Sequence, residues 1–329
     1  RAPVFTYQTW FKVGSRNEKP GCTGVAHLFE HLMFKGTSKH GIGEFDREME
    51  SRGCETNAAT WVDWTYYRES LPTGSPVLPR GSIPDVISSP PPADRLELVV
   101  RLEAERMANM ILNEAQVGSE LEVVKNERRY RVDNDPEGKM YEVLYDAAYE
   151  RHPYGWPTIG WMKDIESLSL EDCVEFYERH YAPNNATVVV VGDVRTERVL
   201  SLLAEHFGPM AAKAAVEFSG SPEPPQTQER RRALSMPLAA SKLLAGFHIP
   251  AQGHPDHAAV EVANEILFAG GFDDATDTNF STRVDILDVR TEAWSTAEMT
   301  TPRMYFAAAA VDGVAVLGGG QFQLGKHPD

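Results

Sequence analysis

His27-Leu28-Phe29-Glu30-His31 gathers three groups able to do chemistry within five residues. If the surrounding stretch, Gly24 to Gly36, is helical, the two histidines stand four apart on one face. Their imidazoles are then close enough to share one ion. Neutral imidazoles bind zinc, and a zinc centre that works on a substrate needs a third protein ligand and keeps a fourth position open. Glu30, one residue before His31, hangs its carboxylate beside the same point. There it would take a proton from a water attacking a carbonyl. Two histidines on an ordinary amphipathic helix have the same spacing, so the pattern depends on finding its third donor.

The remaining donors narrow the search only in part. Cys22, Cys54 and Cys173 are odd in number, widely spaced and without a C-x-x-C, which argues against a disulfide framework and a thiolate site. His254 and His257 flank Pro255 in a loop with no acid in helical phase with them. Glu120 and Glu127 are seven apart in a helical stretch, Ser119 to Val132, and so share one face. A carboxylate pair of that kind is ordinarily a solvated surface.

The elements around the motif can be read from periodicity. Residues 4 to 13 form an aromatic and β-branched strand. Thr23 is the expected N-cap of the histidine helix and Gly36 its stop. A short helix over 43 to 52 carries Phe45 and Met49 on one side. Two strands follow, Glu55 to Thr60 and Trp64 to Leu71. Asn57, Ala58, Ala59 and Thr60 would offer backbone pairing to a substrate if they lie on a free edge; from the residues alone an internal strand fits better. Thr73 to Pro92 is proline, serine and glycine without period, an inserted surface loop. Helices are expected over Asp94 to Asn113, Ser119 to Val132, Lys139 to Tyr149, Ser169 to about Tyr181 and Thr196 to Phe207. Ala186 to Val191 is a continuous β-branched run of the kind found in buried strands. A linker follows at about 211–230, then a new strand (Leu234 to Phe247) and helix (Ala258 to Phe268). Residues 266–271 and 314–320 are apolar runs ending in glycine doublets, which with the strands between them resemble one kelch repeat.

Composition bounds the partners. The net charge of −16 disfavours nucleic acid and anionic membranes and suits neutral or basic peptides. The hydrophobic and charged shares, 42% and 24%, are those of a globular protein. No eighteen-residue apolar run is present, so no membrane span is expected. The chain begins at Arg1 without a leader pattern, so its compartment cannot be read.

The front of the chain resembles the pitrilysin/insulinase-like zinc peptidases, the inverzincins that include mitochondrial processing peptidase. H-x-x-E-H is the inverted form of the H-E-x-x-H zinc-peptidase helix. The resemblance rests on FKVGSRNEKPGCTGVAHLFEHLMFKGT, NAATWVDWTYYRESLP, the run from Asp94 to Pro136, HPYGWPTIGW and FYERHYAPNNATVVVVGD, which together span most of residues 9 to 208. It implies one zinc ion held by His27, His31 and Glu127, with Glu30 as general base and Glu120 supporting catalysis. Removing the surplus of the Thr73 to Pro92 loop brings the His31-to-Glu127 spacing to that of the family's third ligand. It also implies that Asn57 to Thr60 is a substrate-pairing strand edge.

The fold implied is α+β: a mixed, mostly antiparallel sheet with helices on one face in residues 1–210. An incomplete second α+β domain over 231–268 follows the linker, then an all-β kelch-like fragment over 269–329. Three departures stand out. The family's first strand is missing before Arg1, the 73–92 loop is foreign to the pattern, and the family's second clamp half is only begun. At Phe268 to Gly271 the resemblance passes into kelch-like sequence, as a fused or misassembled reading frame would. The function expected is zinc-dependent endopeptidase action on unfolded peptides, with a homo- or hetero-dimer supplying the other half of the clamp. The alternatives are a catalytically silent partner subunit and a kelch-type interaction module.

Overall fold

The computed structural model describes residues 3–73, 94–214, 220, 222–237 and 242–260, and the backbone of four strands beyond 282. The chain divides into two compact units, Arg1–Asn134 with Tyr149–Gln226, and Asp135–Ala148 with Thr227–Asp329.

The first unit is built on a four-stranded sheet of order β2-β3-β1-β4, antiparallel throughout its described pairs. β1 (Val4–Phe11) alternates so that Phe5, Tyr7, Thr9 and Phe11 are buried, the period of two that puts every second side chain on one face. β2 (Glu55–Thr60), β3 (Thr65–Pro72) and β4 (Ala186–Gly192) complete the sheet. Its helices are α1 (Val25–Leu32), α2 (Glu44–Glu50), α3 (Arg95–Asn109), α4 (Glu114–Arg128), α6 (Met162–Ile165), α7 (Leu170–His180) and α8 (Thr196–His206). One apolar cluster joins Phe11 and Tyr67 of the sheet to Leu28 and Phe29 of α1, Val124 of α4 and Phe176 and Tyr177 of α7. A second joins Phe5, Tyr7 and Leu71 to Met49 of α2, Leu98 and Leu102 of α3 and Leu202 of α8. Phe45 and Met49 are both buried, as their four-residue spacing predicts.

On α3, Arg106 is fully buried. Its guanidinium bridges Glu69, at 2.9 Å, and Glu103, and lies over the rings of Tyr67 and Phe45 at 4.5 and 4.7 Å.

Several local expectations change. Thr23 does not cap α1; the N-cap is Gly24 at φ 94°, and the helix stops at Leu32, short of Gly36. Among the described residues the β-branched run of β4 is not an internal strand. It lies at the end of the described sheet, with Val188 and Val190 packed on the core and Val191 66% exposed. Among the described residues β2 is likewise terminal, so the residue pattern that favoured an internal strand is corrected: Asn57, Ala58, Ala59 and Thr60 lie on an edge of the described sheet. Strand status depends on which neighbour pairs, and composition does not carry that information.

In the second unit, α5 (Pro136–Ala148) replaces the helix expected from Lys139, because Pro136 suits a first helical position. No strand forms at 234–237 or 242–247 among the described residues. A helix begins at His257, and the rest of the one expected to Phe268 lies outside the described residues. β5 (Arg283–Asp288) pairs with β6 (Ala293–Glu298), and β7 (Ala307–Val311) with β8 (Val314–Gly318). Among the described residues these are two separate two-stranded sheets, not the four-stranded sheet of a kelch blade. Residues 74–93, Gly270, Gly271, Gly319 and Gly320 lie outside the described residues.

Candidate metal centre

The start of α1 is fixed by groups distant in sequence. Glu18 Oε1 accepts the backbone N–H of Gly24 and of Ala26, at 3.0 and 2.9 Å, taking up two donors that a helix start leaves free. Thr23 Oγ1 donates to Asp164, at 2.7 Å, and accepts from the N–H of Trp161, at 2.9 Å. Gly160 sits so close that a Cβ there would meet Thr23 O at 2.5 Å and the Gly24 Cα at 2.6 Å. Buried Arg128, at the end of α4, donates to Gly160 O at 2.7 Å. The HPYGWPTIGW segment therefore ties the first turn of α1 to the end of α4, the two helices that carry the candidate donors.

Those donors converge. Glu127 Oε2 lies 3.5 Å from His27 Nε2 and 3.4 Å from His31 Nε2, and one atom of each residue lies within 4.8 Å of the others. Two ligands held about 2.0–2.1 Å from one tetrahedral ion stand roughly 3.4 Å apart, so the carboxylate-to-imidazole spacing fits zinc. His31 Nδ1 faces Glu120 Oε2 at 3.5 Å, and Glu120 Oε1 accepts from Lys35 Nζ at 2.9 Å. A carboxylate behind a ligating imidazole is the usual way of fixing its tautomer and orientation. The far oxygen of Glu127 is 2.8 Å from Arg131 Nε.

Glu120 is 4% exposed, because its stripe of α4, with Val117 and Val124, packs inward. The solvated-surface reading of the carboxylate pair fails there. Beyond Arg128 the helix widens into a π-turn over Arg129–Asp133, a distortion often met at functional sites.

Glu30, on α1, brings its carboxylate near Thr60 at the end of β2. Asn57 Oδ1 accepts the Ala58 N–H at 2.9 Å. All nine residues singled out from the sequence thus lie on three neighbouring elements, α1, α4 and β2.

The electrostatics follow from burial and partners. Burial, with the charge of His31 adding to it, pushes His27 down to about 4, so at neutral pH its imidazole is uncharged and free to donate a lone pair. For His31 burial acts in the same sense, but the Glu127 hydrogen bond and three nearby carboxylates outweigh it, and its pKa rises. Glu127 is lowered, chiefly by the His31 hydrogen bond. Burial raises Glu30, against the opposing influence of nearby Thr60 and His31.

Lys35, Arg131 and Glu18 were not foreseen from sequence. The first two stand four residues after His31 and Glu127, a helical spacing that could have found them. Glu18 has no periodic signal.

An α+β sheet with helices on its face thus carries a two-histidine, one-carboxylate cluster that could hold a metal ion beside a strand edge. Comparison with known proteins agrees. The Insulinase (Peptidase family M16) model matches residues 2–160 and the Peptidase M16 inactive domain model matches residues 167–283. The chain belongs to the M16 family. The second match runs past the Phe268 to Gly271 join. The chain is 34% identical over 270 residues to zinc protease PqqE of Helicobacter pylori, covering 81% of this chain and 56% of that protein. It is 26% identical to the human mitochondrial-processing peptidase subunit beta, covering 81% of this chain and 51% of that protein. A crystal structure of a protease from Helicobacter pylori superposes with a TM-score of 0.59 at 36% identity, covering 68% of this chain and 49% of that one. The chain spans about half the length of the curated relatives it matches. Among the described residues no helix is long and apolar enough to cross a membrane.

Proposed function

We propose that this chain carries the metal-binding half of a zinc-dependent endopeptidase. His27, His31 and Glu127 hold one zinc ion, Glu30 is the general base and Glu120 orients His31. The observation that carries the reading is the convergence of those three donors, two from one helix and one from a helix 96 positions on. Bound zinc supplies a Lewis acid that polarises a peptide carbonyl and acidifies water. The chain's own groups do the rest. Glu30, with a carboxylate raised by burial, accepts a proton at one oxygen and returns it to the leaving amine. Glu120 faces the Nδ1–H of His31 as acceptor and keeps Nε2 turned toward Glu127. The edge of β2, at Asn57 to Thr60, pairs with an extended peptide backbone, which suits unfolded segments of varied sequence.

The test is zinc stoichiometry with cleavage of a quenched peptide, before and after chelation. Glu30→Gln should keep one zinc per chain and lose two to four orders of magnitude in kcat, roughly the contribution of a general base. Loss of zinc in that variant would mean that Glu30 is a ligand.

A second reading has one observation in its favour: the model matching 167–283 is that of an inactive domain. The chain would then be a silent partner, or would need a homo- or hetero-dimeric mate to complete a clamp. Zinc bound at one per chain without cleavage, and cleavage restored by a second M16 chain, would select it.

A further inference from the structure

In a chain of net charge −16, one recess of the first unit has only cations among its ionisable lining residues. Lys12 follows β1, Arg179 stands in the last turn of α7 and Lys213 lies beyond α8. No carboxylate lines the space, whose volume is about 210 Å³. A single water needs about 10–15 Å³ of such space, so a phosphate with part of its hydration shell fits.

The walls are tied together. Lys12 N–H donates to Asn185 O at 3.1 Å, extending the β1–β4 ladder. Asn185 Nδ2 donates to His180 O at 2.8 Å, which joins the loop to the end of α7. The Asn184 amide meets the Lys213 backbone twice: Nδ2 donates to Lys213 O at 2.9 Å, and Oδ1 accepts the Lys213 N–H at 3.0 Å. The amides are thus spent on the walls, and the cations are left for a ligand.

Those cations have few partners of their own. Lys213 Nζ reaches Glu178 Oε2 at 3.2 Å and lies 5.2 Å from the centre of the Tyr177 ring. Lys12 and Arg179 are exposed and form no ion pair among the described residues. Arg179 also borders a second recess that Asp172 and Glu175 line, yet it pairs with neither. Three like charges on a pinned backbone repel one another. A multivalent anion relieves that repulsion and accepts charge-assisted hydrogen bonds. A guanidinium fork matches two oxygens of a tetrahedral oxyanion.

We propose that this recess binds a compact oxyanion of the phosphate class, held by Lys12 and Arg179 with Lys213 as the third cation. It shares no residue with the cluster of His27, His31 and Glu127, and it does not depend on the peptidase reading.

The test is an NMR titration of the protein with inorganic phosphate at constant pH and ionic strength. The amide signals of Lys12, Arg179 and Asn185 should move and saturate together. Lys12→Gln and Arg179→Gln should each weaken the fitted affinity about tenfold or more, the loss expected for one hydrogen bond to a charged group. Both side chains are exposed, so the fold should survive. Lys19→Gln, which removes an equal charge outside the recess, should change the affinity less than twofold. Shifts that do not saturate, that sodium chloride reproduces, or that persist unchanged in both recess variants overturn the site. Glycerol phosphate distinguishes the source: equal affinity marks a phosphorylated small molecule and exclusion marks the free ion, and both uphold the site. A triglutamate peptide that binds more tightly than either would make this a carboxylate site and overturn the phosphate assignment.

Discussion

The candidate centre is a contest between a proton and a metal for the same lone pairs. In the metal-free protein His31 is held protonated above its ordinary pKa by Glu127, Glu30 and Glu120, while Glu127 stays ionised and His27 neutral. On the zinc-binding reading proposed above, the metal would displace the His31 proton, so binding would release protons. Apparent zinc affinity should therefore fall as pH drops through the raised His31 pKa, approaching tenfold per unit on the acid side. Chelator competition between pH 6 and 8 measures it; a flat profile would show that His31 is not a ligand. Lys35 acts one step further out. Lys35→Met leaves the buried Glu120 carboxylate with only His31 beside it, and should cost about 1–3 kcal/mol in chemical denaturation.

The helix α1 owes its position to its surroundings. It has eight residues, too few to be stable alone in water. Its first turn is held by Glu18 and by the close approach of Gly160. Glu18→Ala should destabilise the protein by about 1–3 kcal/mol, since two buried N–H groups lose their acceptor, and should weaken zinc binding by loosening His27. Urea denaturation and zinc titration of the same variant test both; unchanged zinc affinity would mean that the helix start does not set the ligand geometry. Gly160 has φ +89° and no room for a Cβ, so Gly160→Ala should act in the same direction.

At the scale of the molecule, buried ionisable groups set the response to acid. His180 is 2% exposed and its pKa is pushed down by burial, with Arg179 adding to the effect, to about 4. The unfolded chain binds its proton near 6.5, the folded chain only near 4. The neutral form therefore stabilises the fold above about pH 6.5, and that contribution is lost as pH falls toward 4, by up to about 1.4 kcal/mol per unit. Comparing His180→Leu with the parent protein isolates it: the difference in unfolding free energy should shift by that slope between pH 6.5 and 4 and be constant above 7. Glu69 acts in the opposite sense, because burial beside Glu103 raises its pKa, so protonation does not oppose folding there.

What the linear sequence determined by itself is whatever depends on local period. Residues four apart share a helix face, so His27 and His31 were legible as a pair, as were Phe45 with Met49 and Glu120 with Glu127. The helix starts expected near Asp94 and Ser169 fall where those two residues cap α3 and α7. The tertiary structure alone decided which acid meets the histidines in space, that Glu120 is buried against Lys35, and that β2 and β4 are terminal in the described sheet. Those outcomes rest on contacts between groups tens of residues apart, and nothing in the spacing of neighbours encodes which distant surface a helix or strand will meet.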